Sequence, residues 1–144
     1  MTHKRFLFVD SSAWISSVIT TDTNHQKAAA IFSSFDIKTR LYISFFIISE
    51  TITKIRKLLG QSKAYDLYNQ FSDLEKGKSL SILPVDRNAI EKAILIMNKY
   101  PTPNTFSLTD ATNIILMQQY KIPTLFSFDK DFKKLKIPSL CILP

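Results

Sequence analysis

The chain has 144 residues, 45% of them hydrophobic, which suffices for one domain spanning residues 1–144 with its own core and leaves no room for a second. A balance of 19 Lys+Arg against 12 Asp+Glu gives a net charge of +7, which points to an anionic partner, nucleic acid before a membrane surface, although solubility alone would also account for it. A single cysteine, Cys141, excludes a disulfide framework; in the apolar run Ser139-Leu-Cys-Ile-Leu143 it is expected to be a small core residue.

The start, Met-Thr-His-Lys-Arg, is basic like the head of a signal peptide, but the apolar run behind it is cut short at Asp10. No stretch reaches the roughly 18 apolar residues of a membrane span, so a cytoplasmic protein is expected. Phe6-Leu-Phe-Val9 is wholly apolar and suits a strand covered on both faces, as in a parallel sheet. Ser11 or Ser12 is then placed to cap a helix. Ala28, Ile31, Phe32 and Phe35 recur at helical spacing over about 24–35, and Leu41-Tyr-Ile-Ser44 offers a second strand.

Residues 46–59 follow as a helix ended by Gly60. Ala64, Leu67, Tyr68, Phe71 and Leu74 line one face of the next, with Gly77 where a left-handed terminal residue belongs. Residues 80–85 read as a strand, Ile90, Ala93, Ile94 and Met97 as a helix face, and Pro101-Thr-Pro103 as a rigid loop. Ser107-Leu-Thr-Asp110 opens a helix running to about Tyr120. A fourth strand over 124–127, a short helical turn over 129–135 and a fifth strand over 139–143 complete the chain. Strands alternating with helices imply an α/β fold with a parallel sheet.

The chemistry open to this chain is narrow. The only histidines are His3, in the tail, and His25, at a helix start; both are expected at the surface, so a nucleophilic triad has no base. One cysteine and two scattered histidines do not make a zinc site, and two glycines do not make a phosphate-cradling loop. Carboxylates remain. Asp10 ends the first strand and Asp129 follows the fourth, at the carboxyl edge where open parallel sheets bind ligands. Asp110 lies near a helix N-terminus, and Glu50 lies early in the helix after the second strand.

Four carboxylates drawn together in a cleft repel unless a divalent cation sits among them, and oxygen donors select Mg2+ or Mn2+. Phosphodiester hydrolysis is the natural chemistry of such a site. Each acid also has an ordinary explanation: Asp10 as a helix cap, Asp110 as the third residue of a Ser-x-x-Asp capping box, Glu50 as an ion pair with Lys54, and Asp129 and Asp131 as turn residues.

Taken in order, the motifs Phe-Val-Asp10-Ser-Ser-Ala-Trp-Ile, Ile-Ser-Glu50, Ser-Leu-Thr-Asp110-Ala and Pro-Thr-Leu-Phe-Ser127-Phe-Asp129-Lys-Asp131-Phe132 resemble those of the PIN-domain nucleases, and among these the small VapC-type toxins of toxin-antitoxin pairs. The resemblance spans Phe6 to Leu143. It implies a three-layer fold with a five-stranded parallel sheet in the order 3-2-1-4-5 flanked by helices. It also implies a metal-dependent endoribonuclease whose catalytic residues are Asp10, Glu50, Asp110 and Asp129, with Mg2+ or Mn2+ held by Asp10, Asp110 and Asp129.

In the same reading Ser127 holds the fourth carboxylate, Asp131 is an auxiliary acid, and Ser11 of the first motif is a supporting residue. An RNA substrate, a cognate antitoxin and a homodimer are implied as partners. A processing nuclease without an antitoxin and a non-catalytic RNA-binding protein on the same fold are the alternatives.

Two departures stand out: Tyr120-Lys121 replaces a frequent glycine turn, and Thr112-Asn113 replaces an apolar pair after the third acid. Lys54 and Lys57 share a helical face with Glu50, while Lys130, Lys133, Lys134 and Lys136 crowd the last motif, and these lysines are expected along an RNA path. Of the aromatics, Trp14 and Tyr120 are candidates for base stacking.

Overall fold

The computed structural model describes residues 3–144; Met1 and Thr2, the first part of the basic start, lie outside the described residues. Its strands are β1 (Arg5–Val9), β2 (Thr39–Ser44), β3 (Leu80–Leu83), β4 (Thr124–Phe126) and β5 (Cys141–Leu143). The helices are α1 (Ser11–Val18), α2 (His25–Ser33), α3 (Phe45–Leu59), α4 (Gln61–Lys76), α5 (Arg87–Lys99), α6 (Leu108–Tyr120) and α7 (Asp131–Lys134). All strands pair in parallel in one five-stranded sheet, ordered β3-β2-β1-β4-β5, as the resemblance implied.

The chain moves from β1 outward to β3, then crosses back to β4 and β5. Right-handed crossovers therefore lay α1 to α4 on one face and α5 to α7 on the other. The packing of α1 on α2 and α3, of α3 on α4, and of α5 on α6 accords with this. Central β1 is covered on both sides, which is why Leu7, Phe8 and Val9 are all buried. On the first face Trp14 packs its ring against Phe32 and Phe71, with centroids 4.9 and 4.8 Å apart, and Phe32 in turn meets Phe126 of β4.

Several boundaries differ from the sequence expectation for identifiable reasons. Neither Ser11 nor Ser12 caps α1: Asp10 occupies the cap position and its carboxylate makes no cap bond, because Asp10 and Ser12 are engaged with the residues after β4 and Ser11 with Glu50 of α3. Strand β3 stops at Leu83, since Pro84 has no N–H to continue the ladder. Gly77 has φ −76°, and the left-handed residue is Lys78 at φ 61°; Gly60, at φ 93°, does take a glycine-favouring conformation. The helix expected over 129–135 is only Asp131–Lys134, and β5 begins at Cys141 rather than Ser139, whose positive φ of 62° keeps it out of a strand.

Cys141 is exposed, not core, because β5 is the outer strand and one of its faces is open. His25 is half-buried rather than a free surface residue: its Nδ1 lies 2.8 Å from the Ser16 carbonyl and ties α2 to α1. Trp14 is 2% exposed and belongs to the core, which removes it as a stacking platform; Tyr120 remains exposed at the end of α6. Lys121 follows it in the left-handed conformation, φ 56°, doing without glycine what a glycine turn would do. Among the described residues no helix is long and apolar enough to cross a membrane.

Candidate functional site

The sheet reverses its winding between β1 and β4, and the crevice beyond the carboxyl ends of these two strands is where an open α/β sheet admits a ligand. Val9 and Phe126 are register partners there, and the Asp10 N–H donates to the Phe126 carbonyl at 2.9 Å, so Asp10 and Ser127 leave the sheet side by side. The Ser127 hydroxyl donates to Asp10 Oδ2 at 2.7 Å and accepts the Asp129 N–H at 3.0 Å. One hydroxyl thus fixes an acid from each strand. Ser12 reinforces it, donating to Asp10 Oδ2 at 3.1 Å and accepting the Phe128 N–H at 3.0 Å.

The third acid is delivered by the start of α6. Ser107 and Asp110 form a reciprocal capping box, Ser107 Oγ accepting the Asp110 N–H at 3.1 Å and Asp110 Oδ2 accepting the Ser107 N–H at 2.9 Å. The capping role and a place in the cluster therefore coexist, because a carboxylate has two oxygens and the cap uses one. Residues Asp110 through Met117 are all buried, so this helix has almost no polar face and its first turn is carried into the interior.

The fourth motif closes the group. Asp129 Oδ1 accepts the Asp131 N–H at 2.9 Å, turning the chain so that Asp131 also faces inward, where Thr105 Oγ1 donates to its Oδ2 at 2.6 Å. One carboxylate oxygen from each of Asp110, Asp129 and Asp131 lies within 4.8 Å of the others, a group able to hold a metal ion. The compact trio thus contains Asp131, whereas the sequence motifs set Asp10 beside Asp110 and Asp129. Asp10 lines a cleft with Asp110 and Asp129, Asp131 lying behind its wall, and has both oxygens engaged by neutral donors, Oδ2 by Ser127 and Ser12, and Oδ1 by Asn113 Nδ2 at 3.1 Å.

Glu50 reaches the cleft from α3, which Ser44 caps by accepting the Ile47 N–H. It is exposed, and it accepts a hydrogen bond from Ser11 Oγ at 2.9 Å instead of pairing with Lys54. Lys54 lines the cleft near it, while Lys57, a turn further on, is not among the lining residues. Lys130 is exposed, Lys133 donates to the Pro144 carbonyl at 3.2 Å, and Lys134 lies 3.8 Å from Asp131. The cleft has a volume of about 410 Å³, and Ser107, Thr105 and Ile15 complete its wall.

Its electrostatics are those of crowded acids. Burial raises the pKa of Asp10 against the hydrogen bonds of Ser127 and Ser12, with the charge of Glu50 adding to the rise. Burial likewise raises Asp110, to about 7; the Ser107 hydrogen bonds oppose it, and the charges of Asp10 and Asp129 add to it. Asn113 and Thr105 were not recognised as contributors from sequence: neither belongs to an acidic motif, and each acts on a partner distant in the chain.

The family model for the PIN domain matches residues 7–138. No curated protein matches the chain significantly in sequence. Among solved structures, the chain is similar in fold to VapC20 of Mycobacterium tuberculosis, a Sarcin-Ricin loop cleaving toxin, at TM-score 0.77 and 20% identity over 92% of this chain and 97% of that one. It is also similar to VapBC2 of Rickettsia felis bound to a DNA fragment from its promoter, at TM-score 0.65 and 12% identity over 95% and 96% of the two chains. A toxin-antitoxin complex from Klebsiella pneumoniae gives TM-score 0.63 and 13% identity over 93% and 94%.

Proposed function

Because the chain belongs to the PIN domain family, we propose that it is a divalent-metal-dependent endoribonuclease and the toxin partner of an antitoxin protein. The observation that carries this reading is the meeting of Asp10, Asp110, Asp129 and Glu50 in one cleft of a chain with net charge +7. Burial of Asp10 and Asp110 beside the charges of Glu50 and Asp129 costs both of them ionisation, a cost that a bound cation would offset.

The donor set fits Mg2+ or Mn2+: all its ligands are oxygens, and the raised pKa values of Asp10 and Asp110 mark carboxylates lacking a cationic partner. Asp110, Asp129 and Asp131 would hold the ion, with Asp10 at its side. When bound, a divalent cation supplies Lewis-acid assistance, making water a nucleophile at neutral pH and offsetting charge on the phosphate.

The chain's own residues do the rest. Ser127 and Ser12 orient the Asp10 carboxyl, and the capping box fixes Asp110 while leaving it one free oxygen. Glu50, at the exposed mouth, is placed to accept a proton from water entering the cleft, with Ser11 setting its orientation. Lys54 draws the phosphate backbone toward the acids, and exposed Lys57, Lys130 and Lys133 extend the basic surface.

VapC20, similar in fold, is a toxin that cleaves the Sarcin-Ricin loop, and other similar folds occur in toxin-antitoxin assemblies; both support an RNA substrate and an antitoxin here. Leu58, Leu59, Ile94 and Leu95 leave apolar surface exposed for such a partner or for a second copy of the chain.

The test is cleavage of structured and single-stranded RNA by purified protein with Mg2+, Mn2+ or chelator. Cleavage is expected to stop on chelation and to fall steeply in Asp110→Asn. The reading fails if folded protein cleaves no RNA with either metal and if expressing it slows cell growth no more than expressing Asp110→Asn.

A further inference from the structure

Helix α6 carries one polar side chain that the carboxylate motif leaves unexplained. Asn113 is fully buried, with Ile114 to Met117 following it in the helix, and its position three residues after Asp110 puts it on the same side of α6 as that acid. Its Nδ2 donates to Asp10 Oδ1 at 3.1 Å across 103 residues of sequence. In the ionised form that would hold a cation, Asp10 only accepts hydrogen bonds, so the amide nitrogen faces it, as the contact to Oδ1 has it, and the amide oxygen turns away. That oxygen is buried and has no hydrogen-bond partner. An apolar side chain here would avoid the stranded amide oxygen but would take the donor from Asp10 Oδ1, so what accounts for the amide is what it does for Asp10.

We infer that Asn113 is a positioning residue that fixes the orientation of the Asp10 carboxylate toward the cation of the cleft. The inference rests on the metal-dependent reading proposed above. Asp10 is then held from three elements: Ser12 of α1 and Ser127 after β4 grip Oδ2, and Asn113 of α6 grips Oδ1. All three donors are neutral, so they fix its direction while leaving its charge for the ion. Without Asn113 the Oδ1 side loses its donor from α6, and a divalent ion meets a less ordered ligand. Outer partners of this kind change metal affinity about 10- to 100-fold when removed.

The experiment measures Mn2+ binding to the full chain without RNA, by electron paramagnetic resonance and calorimetry, for the wild type, Asn113→Leu and Asn113→Ala. Thermal unfolding without metal is recorded for each. Binding is expected to weaken about 10- to 100-fold in both variants. The metal-free Asn113→Leu protein should unfold close to the wild type, because removal of the stranded amide oxygen offsets loss of the donor to Asp10 Oδ1. Asn113→Ala removes the same donor with a smaller side chain and carries the test if the leucine does not pack. If the wild type binds Mn2+ and either folded variant binds it equally well, the role of Asn113 is overturned and the metal-dependent reading stands. If the wild type binds no Mn2+, both fall.

Discussion

Two hollows of similar size lie on this protein, and they are made of different things. One, of about 490 Å³, is walled by Trp14, Phe32, Phe35, Val18 and Leu41, with Asp36, Gln70 and several hydroxyls among its polar lining. The other, of about 410 Å³, is walled by Asp10, Glu50, Asp110 and Asp129 with Lys54 beside them. In the first, aromatic rings satisfy one another through tilted and edge-on contacts, and the exception is a buried Trp14 Nε1 without an acceptor. In the second, like charges are pressed together and two of them are pushed toward the neutral form. Volume does not distinguish a site from a packing gap. An arrangement that costs stability and becomes favourable only on binding does.

The sharpest way to break this contrast is to remove charge from the acid cleft. Asp110→Asn should lower RNA cleavage on the order of 10²- to 10³-fold or more while leaving the metal-free protein at least as stable as the wild type, read by single-turnover cleavage and denaturant unfolding. If activity survives, the cleft is not the site.

The aromatic hollow should respond in the opposite way. Trp14→Ala removes a side chain only 2% exposed and should cost roughly 3–5 kcal/mol of stability, with cleavage per folded molecule little changed.

Next in size is the response to pH. Asp110 titrates at about 7 in the fold against an ordinary aspartate value of 3.8, so the unfolded chain loses this proton first as pH rises. The stability that Asp110 contributes in the absence of metal should therefore be fully present below about pH 4 and be lost toward about pH 7, by up to a few kcal/mol. Across that range the unfolding midpoint of the wild type should fall relative to that of Asp110→Asn, and the difference should close when Mg2+ or Mn2+ is added. A difference that stays constant with pH would remove the electrostatic half of the comparison.

The smallest effects come from the rim. Lys54→Ala should weaken RNA binding and reduce its salt dependence by about one ion, whereas Lys57→Ala, outside the cleft wall, should do less, as read from binding isotherms at several salt concentrations. Glu50→Gln should change stability by no more than about 0.5 kcal/mol, since the residue is exposed, and should nevertheless slow cleavage. Equal effects of Lys54 and Lys57 would place the RNA path elsewhere.

Much of the fold was legible because buried parallel strands have a plain signature. The run Leu7-Phe-Val9 with an acid directly behind it reads as a central strand ending at a ligand edge, and the β4 run before Ser127 reads the same way. The capping box at Ser107 is local, spanning three residues, so it too could be read directly. The choice of partners was not legible. Glu50 has Lys54 one turn away, yet it accepts from Ser11 at a separation of 39 residues, because the crossing of α1 and α3 brings those side chains together.

What the sequence determined by itself was the order of strands and helices and the presence of acids at strand ends and a helix start, since these follow from hydrophobic runs, turn residues and short-range spacing. The tertiary structure alone decided that Asp131 joins Asp110 and Asp129, that Asn113 holds Asp10, that Trp14 is core and that Cys141 is not. The physical reason is distance along the chain: hydrogen bonds reach about 3 Å, and which residues come within that reach across a hundred positions is set by how the sheet orders its strands and how the helices pack on its two faces.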